Sequence, residues 1–280
     1  MTVRNEKQAA QAPQKQNVLG VGISATSYEE ATAVCGSWVE QRRAAVKQGL
    51  EVPGRYVAVT SVHGIVNAVS QPDIQAILNG ADMATPDGMP VVWALRSFGH
   101  KAQQRVYGPT LMLHVCAQAA RFGHRIFLYG GRTETLPVLV QNLKARFPGI
   151  QIVDSYSPPF RPLTPEEDAD CIRRIREADA DIVFVGISTP KQERWMADHK
   201  AKLPGVVMFG VGAAFDFHAG RVEQAPGWMQ RSGLEWFFRL TREPKRLWRR
   251  YVLETPRFLP LWAMQWAGLR TFSMDGSRGK

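Results

Sequence analysis

Cysteine is scarce: Cys35, Cys116 and Cys171 are the only three, and they lie far apart. An odd, scattered set forms neither a disulfide framework nor a metal-ligand spacing, and it points to a reducing compartment. The chain has no Walker loop, no H-E-x-x-H and no Cys/His cluster, which sets aside P-loop nucleotide hydrolysis and zinc chemistry. Asp-x-Asp occurs at Asp168/Asp170 and Asp179/Asp181. Both pairs fall inside or just after a helical pattern rather than at a strand end, so neither reads as a metal–nucleotide clamp. Long apolar runs are missing too. The longest late run without charge, Phe258 to Leu269, is twelve residues and contains Pro260, short of the ~20 that span a bilayer. The opening MTVRNEKQAAQAPQKQN lacks an apolar signal core and reads as a disordered leader, residues 1–17. Repeats and low-complexity segments are absent.

Positive charge is what the chain has in excess. The formal net charge is +10, and from Arg221 onward twelve Lys and Arg face five acids. A basic terminal segment calls for an anionic partner, whether nucleic acid, a membrane surface or a phosphorylated substrate, or else it is a solvated face.

With 280 residues, 45% of them hydrophobic, the chain can fill one core and carry an appendage. NVLGVGI reads as a strand, and RYVAVT, RIFLYGG, DIVFVGI and GVVMFGVG read as strands covered on both faces. Between them lie helical patterns, one opened by Ser27 and Glu30 in capping-box spacing and closed by Gly49, another starting at Thr164–Pro165 with Glu167 after the cap. The alternation predicts an α/β fold: a Rossmann-like parallel sheet flanked by helices over residues 18–222, then a basic, aromatic helical appendage over 223–280. On such a sheet, ligands bind beyond the carboxyl ends of the strands.

Two of those ends are glycine-rich: Gly130–Gly131 in LYGGRTET, and Gly212 in GVGAAFDFHAG. Glycine there lets a backbone approach a phosphate, or simply makes a tight turn. GVGISA is a partial dinucleotide fingerprint without its third glycine or an acidic partner. Asp87, between Pro86 and Gly88, is turn chemistry by default and otherwise a carboxylate held at a helix start to accept a hydroxyl proton. In GISTPKQERWM, Pro190 suits a first helical turn. Gln192 can then hydrogen-bond a sugar or base, and Glu193 complements the helix dipole. Pro244 starts PKRLWRRYVLE, with Arg246, Arg249 and Arg250 on one face and Leu247, Trp248, Tyr251 and Val252 on the other. With Trp262 and Trp266 beyond, this composition suits a segment lying in the headgroup layer.

TPDGMPVVWALR, RVYGPTLM, FLYGG, FVGISTPKQERWM, GVGAAFDFHAG and QAPGWMQRSGLEWFFRLTREPKRLWRRY together resemble, in order and spacing, the WecG/TagA/CpsF glycosyltransferases. The resemblance runs from Val18 to Tyr251. It implies a Rossmann-like enzyme that moves a hexose-type sugar, N-acetylmannosamine or a uronic acid among them, from a UDP-sugar to a polyprenyl-diphosphate-linked sugar. It further implies inversion, no metal or other cofactor, and work at the inner face of the cytoplasmic membrane, with a homo-oligomer open. By position, Asp87 matches the catalytic base, and Arg105 an arginine near the donor diphosphate or acceptor. Gln192 matches a sugar- or nucleotide-binding glutamine, while Arg239, Arg246 and Arg249 match arginines that close over the site and engage diphosphate. His63 matches a family histidine after the second strand, but Ser61 stands where the family has asparagine. Two rivals use other parts of the chain: an NAD-dependent oxidoreductase, which needs the glycine fingerprint to be complete, and a nucleic-acid binder, for which no reader module is recognisable.

Overall fold

A computed structural model describes residues 12–275, so residues 1–11 of the expected leader lie outside it. The first half runs β1 (Lys15–Val18), β2 (Val21–Ser24), α1 (Tyr28–Lys47), β3 (Arg55–Ser61), α2 (Val62–Ser70), α3 (Pro72–Gly80), β4 (Met83–Asp87), α4 (Met89–Ser97) and α5 (Gly108–Phe122). Next come β5 (Arg125–Gly130), α6 (Thr135–Arg146), β6 (Gln151–Tyr156), α7 (Pro165–Glu177), β7 (Ile182–Gly186), α8 (Lys191–His199), β8 (Val207–Gly210) and α9 (Ala214–His218). The tail holds α10 (Gly227–Ser232), α11 (Glu235–Arg242), α12 (Pro244–Trp248), a π-helical turn (Arg249–Glu254), a 3-10 turn and α13 (Phe258–Trp266).

The four runs rich in Val, Ile and Phe form β3, β5, β7 and β8, the interior of a six-stranded sheet in the order β4-β3-β8-β7-β5-β6. Every pairing in it is parallel. Alternate residues serve opposite layers: Ile126 and Leu128 pack with α1, α5, α6 and α9, while Phe127 and Tyr129 pack with α2, α3, α7 and α8. Capping boxes at Ser27/Glu30 and Thr164/Glu167 start α1 and α7 as their spacing predicts.

Asn17–Ile23 does not form one strand. Leu19 and Gly20 take φ of 53° and 86°, the backbone of a two-residue hairpin that sets Val18 opposite Val21. Neither β1 nor β2 joins the parallel sheet. The partial glycine fingerprint therefore sits in and beside a hairpin rather than at a strand-to-helix turn where a pyrophosphate would bind. The oxidoreductase reading loses its motif. β1 also begins at Lys15, inside the expected leader.

The tail returns to the core. Phe258 is 1% exposed within the same apolar cluster as Ile65, Leu95 and Phe127. Trp262 Nε1 donates to Ser97 Oγ (3.1 Å), and Gln265 Oε1 accepts from the Leu19 N–H (2.9 Å). Among the described residues, no helix is long and apolar enough to cross a membrane.

Candidate active site

The carboxyl end of the sheet brings distant residues together by register. β3 and β4 pair so that Ser61 stands opposite Asp87. The chain then passes through α4 and returns, and the Val106 N–H donates to the Pro86 carbonyl (2.9 Å). That bond places Arg105 against Asp87. Both Nε and Nη2 of Arg105 donate to Asp87 Oδ1, at 2.9 and 2.8 Å, while Nη1 donates to Glu235 Oε2 of α11 at 2.6 Å. The guanidinium lies 4.2 Å from the Tyr107 ring centre. Burial alone would lower the Arg105 pKa, but Asp87 and Glu235 outweigh it and raise it. Among the described residues, Asp87 Oδ2 has no hydrogen-bond partner, and Asp87 lines a cavity of about 140 Å³.

Arg239 and Arg250, both from the tail, line the same cavity as Ser61, His63, Gly88 and Tyr251. Arg250 Nη2 reaches Ser61 Oγ at 3.4 Å, and its Nε is buried without a partner among the described residues. Burial, and Arg239 close by, pull the Arg250 pKa down from its ordinary value. A guanidinium nonetheless keeps its proton in proteins. His63 is the opposite case. Burial and Arg250 push its pKa down to about 4, so the ring is neutral at pH 7. Its Nδ1 lies 3.2 Å from Glu254 Oε2, within ion-pair distance but off the hydrogen-bonding direction. The neutral ring makes this no charge pair, and His63 Nε2 meets Asn67 Nδ2 at 3.2 Å. The cavity thus holds two carboxylates against three guanidiniums, and two of the three lack a carboxylate partner among the described residues. Such a charge balance suits an anionic ligand.

Residues 16–271 match the glycosyl transferase WecG/TagA/CpsF family. The chain belongs to that family. It is 31% identical over 192 residues, 68% of this chain and 72% of that protein, to the N-acetylglucosaminyldiphosphoundecaprenol N-acetyl-beta-D-mannosaminyltransferase of Bacillus subtilis (strain 168). The enzyme of the same name from Bacillus spizizenii is 30% identical over 206 residues, covering 74% and 77% of the two chains. This protein is a glycosyltransferase.

Of the residues that the family resemblance singled out, Asp87, Arg105, His63 and Arg239 meet in the cavity. Arg246 and Arg249 do not. Both are exposed, and Arg246 pairs with Glu243 one turn back. Leu247 is the residue that docks α12, at 4% exposure. The chain leaves α-helical geometry at Arg249, where the π-helical turn begins, so the α-helical grouping of Arg246, Arg249 and Arg250 does not hold. Arg250 and Tyr251 line the cavity, while Arg246, Arg249, Trp248 and Val252 are exposed.

Gly130, Gly131, Gln192 and Gly212 form a second group, at the ends of β5, β7 and β8. A Cβ on Gly130, at φ +117°, would sit 2.6 Å from the Gly186 carbonyl oxygen, so close strand packing requires this glycine whatever binds nearby. The Gly131 N–H donates to Gly186 O (3.0 Å), and the Gly212 N–H donates to Gln192 Oε1 (3.0 Å). Gln192, 2% exposed, thereby braces the loop after β8. Glu193 is not at a solvated helix end. It is 3% exposed, its Oε1 accepts from Thr189 and Gln192, and burial raises its pKa. Its Oε2 lacks a partner among the described residues. Glu193 lines a cavity of about 10 Å³ between the end of β3, α2, α3 and the start of α8, roughly the room of one water.

The Asp-x-Asp pairs serve structure. Asp181 accepts from Arg42, Arg43 and Arg125 at the amino end of the sheet, and Asp168 meets His199 and Lys202. Among the described residues, no group of three His, Cys, Asp or Glu is placed to hold a metal.

Proposed function

We propose that this glycosyltransferase moves an N-acetylmannosamine-type sugar from a UDP-sugar to a sugar linked to polyprenyl diphosphate, with Asp87 as general base. The observation that carries the reading is Asp87 itself. Arg105 holds one of its oxygens through two nitrogens, leaving the other open in a cavity lined by two guanidiniums that have no carboxylate partner among the described residues.

The chemistry is a single displacement. Asp87 Oδ2 takes the proton from the acceptor hydroxyl, whose oxygen bonds to the anomeric carbon from one face. The bond from that carbon to the UDP phosphate oxygen breaks on the other face, which inverts the centre. Negative charge then gathers on the diphosphate. Arg239 and Arg250 can bind its oxygens through charge-assisted hydrogen bonds, so the displacement can proceed without a metal. Arg105 is committed to Asp87 and Glu235 and acts by orienting the base. The relatives' names, which specify a mannosaminyl group and an N-acetylglucosaminyl acceptor on diphosphoundecaprenol, support the substrate classes.

Peripheral attachment to the inner membrane face is supported by the tail's outer side. Trp228, Trp236, Phe237, Trp248, Leu259 and Trp266 are 42–63% exposed among arginines. Such a surface suits the interfacial layer, where each Lys or Arg adds about 1 kcal/mol on anionic lipid. The test is a panel of UDP-sugars with a short-chain polyprenyl-diphosphate N-acetylglucosamine, reading UDP release and product mass. Transfer from UDP-N-acetylmannosamine is expected. Failure to release UDP with every donor sinks the proposal.

A further inference from the structure

We propose that Glu235 is a positioning residue that pins α11 to Arg105, so that one carboxylate places both Arg239 and the arginine that orients Asp87. This inference rests on the roles given above to Asp87 and Arg239.

None of the eight residues of α11 is buried. Trp236 and Phe237 are 42% and 51% exposed, and Phe238 and Leu240 are only half-buried, so apolar docking fixes this helix weakly. Its most buried ion pair is the anchor. Arg105 Nη1 donates to Glu235 Oε2 at 2.6 Å, and the two side chains are only 15% and 12% exposed. The other ion pair from α11, Arg242 with Glu223, is 62% and 70% exposed and contributes little. Arg239 lies four residues after Glu235, on the same helical face. Fixing Glu235 therefore aims Arg239 into the cavity, where its guanidinium lies 5.9 Å from the Phe217 ring centre. From the other side, Glu235 holds the third corner of the guanidinium whose Nε and Nη2 orient Asp87. One carboxylate thus fixes the base and the leaving-group arginine together.

A competing possibility is that Glu235 occupies the place of a substrate phosphate and plugs the site. The geometry favours the pin, because Arg239 and Arg250 already offer a diphosphate donors that no carboxylate of the described residues occupies.

The test compares Glu235→Gln with Glu223→Gln, which breaks only the exposed pair, using UDP-N-acetylmannosamine and the short-chain lipid acceptor. For Glu235→Gln, kcat should fall about 10–10²-fold, the loss expected from slight misplacement of reacting groups. The donor KM should stay within about threefold, since the interaction lost acts in the transition state. The Tm should move less than about 3 °C, and trypsin should cut the tail faster, as local opening requires. Glu223→Gln should match the wild type. Unchanged kcat overturns the proposal. So does a lower KM with a higher kcat, which would make Glu235 a plug. A joint fall of Tm and kcat, reversed by assaying in the cold, overturns it as well. If the wild type transfers no sugar, the function proposed above fails and proteolysis decides alone: faster tail cleavage in Glu235→Gln upholds the pin, and equal cleavage overturns it.

Discussion

Replacing Arg250 and Arg246 by alanine separates two accounts of the tail arginines. Arg250 lines the cavity beside Asp87, with Nε unpartnered among the described residues and Arg239 the like charge that acts on it most. Arg246 is 60% exposed and, among the described residues, pairs only with Glu243. Removing a preorganised donor from developing charge typically lowers kcat about 10²–10³-fold, or roughly 2.7–4 kcal/mol. An exposed pair one helical turn apart is worth about 0.3–0.5 kcal/mol, so Arg246→Ala should change kcat less than about threefold. Stability should move the other way from activity. Arg250→Ala removes a buried charge that has no ion-pair partner among the described residues, and its Tm should hold or rise. The assay is steady-state transfer to a soluble acceptor without vesicles, so that membrane affinity does not enter. Equal losses in the two variants, or a greater loss in Arg246→Ala, would refute the assignment.

Phe258→Ala should destabilise the protein by about 3–5 kcal/mol in denaturant unfolding, because the ring is a fully buried part of the main core; a loss under about 1 kcal/mol would mean the tail is only loosely attached. His63 makes stability depend on pH. Its folded pKa, about 4, lies below the ordinary 6.5, so the stability conferred by the neutral ring is complete above pH 6.5. It is lost as pH falls from 6.5 toward 4. The loss is at most about 3 kcal/mol, less after solvent screening. His63→Gln should flatten that part of the Tm–pH curve, and an unchanged slope would count against the buried neutral ring.

The interior of the sheet was legible because strands covered on both faces are apolar throughout, as Phe127–Leu128 and Val183–Phe184 show. Both strands that composition did not reveal are edges, β4 and β6. Met83–Asp87 contains Pro86, which an edge tolerates, and Gln151–Tyr156 is only half-buried. The hairpin at Leu19–Gly20 left no signal, since leucine rarely takes positive φ. Asp87 and Arg105 were found through motif resemblance, but no local pattern reveals that a strand register and one backbone bond bring them together. Amphipathic reasoning grouped Arg250 with Arg246 and Arg249, but α-helical spacing ends at Trp248 and a π-helical turn carries Arg250 to the cavity wall. Glu235 was overlooked although it carried a signal. It is the single acid between Glu223 and Glu243, and it precedes Arg239 by one turn.

Asp87→Asn tests the central claim most directly, in a preparation where UDP binding and transfer are measured side by side. The amide keeps the shape of the carboxylate but cannot accept the hydroxyl proton. Loss of a general base lowers the rate about 10²–10⁴-fold. The account predicts that loss in kcat with UDP affinity nearly unchanged, because it assigns the open Asp87 oxygen to the acceptor hydroxyl rather than to the diphosphate. A variant that keeps more than half of the wild-type kcat would contradict it and remove Asp87 from the chemistry.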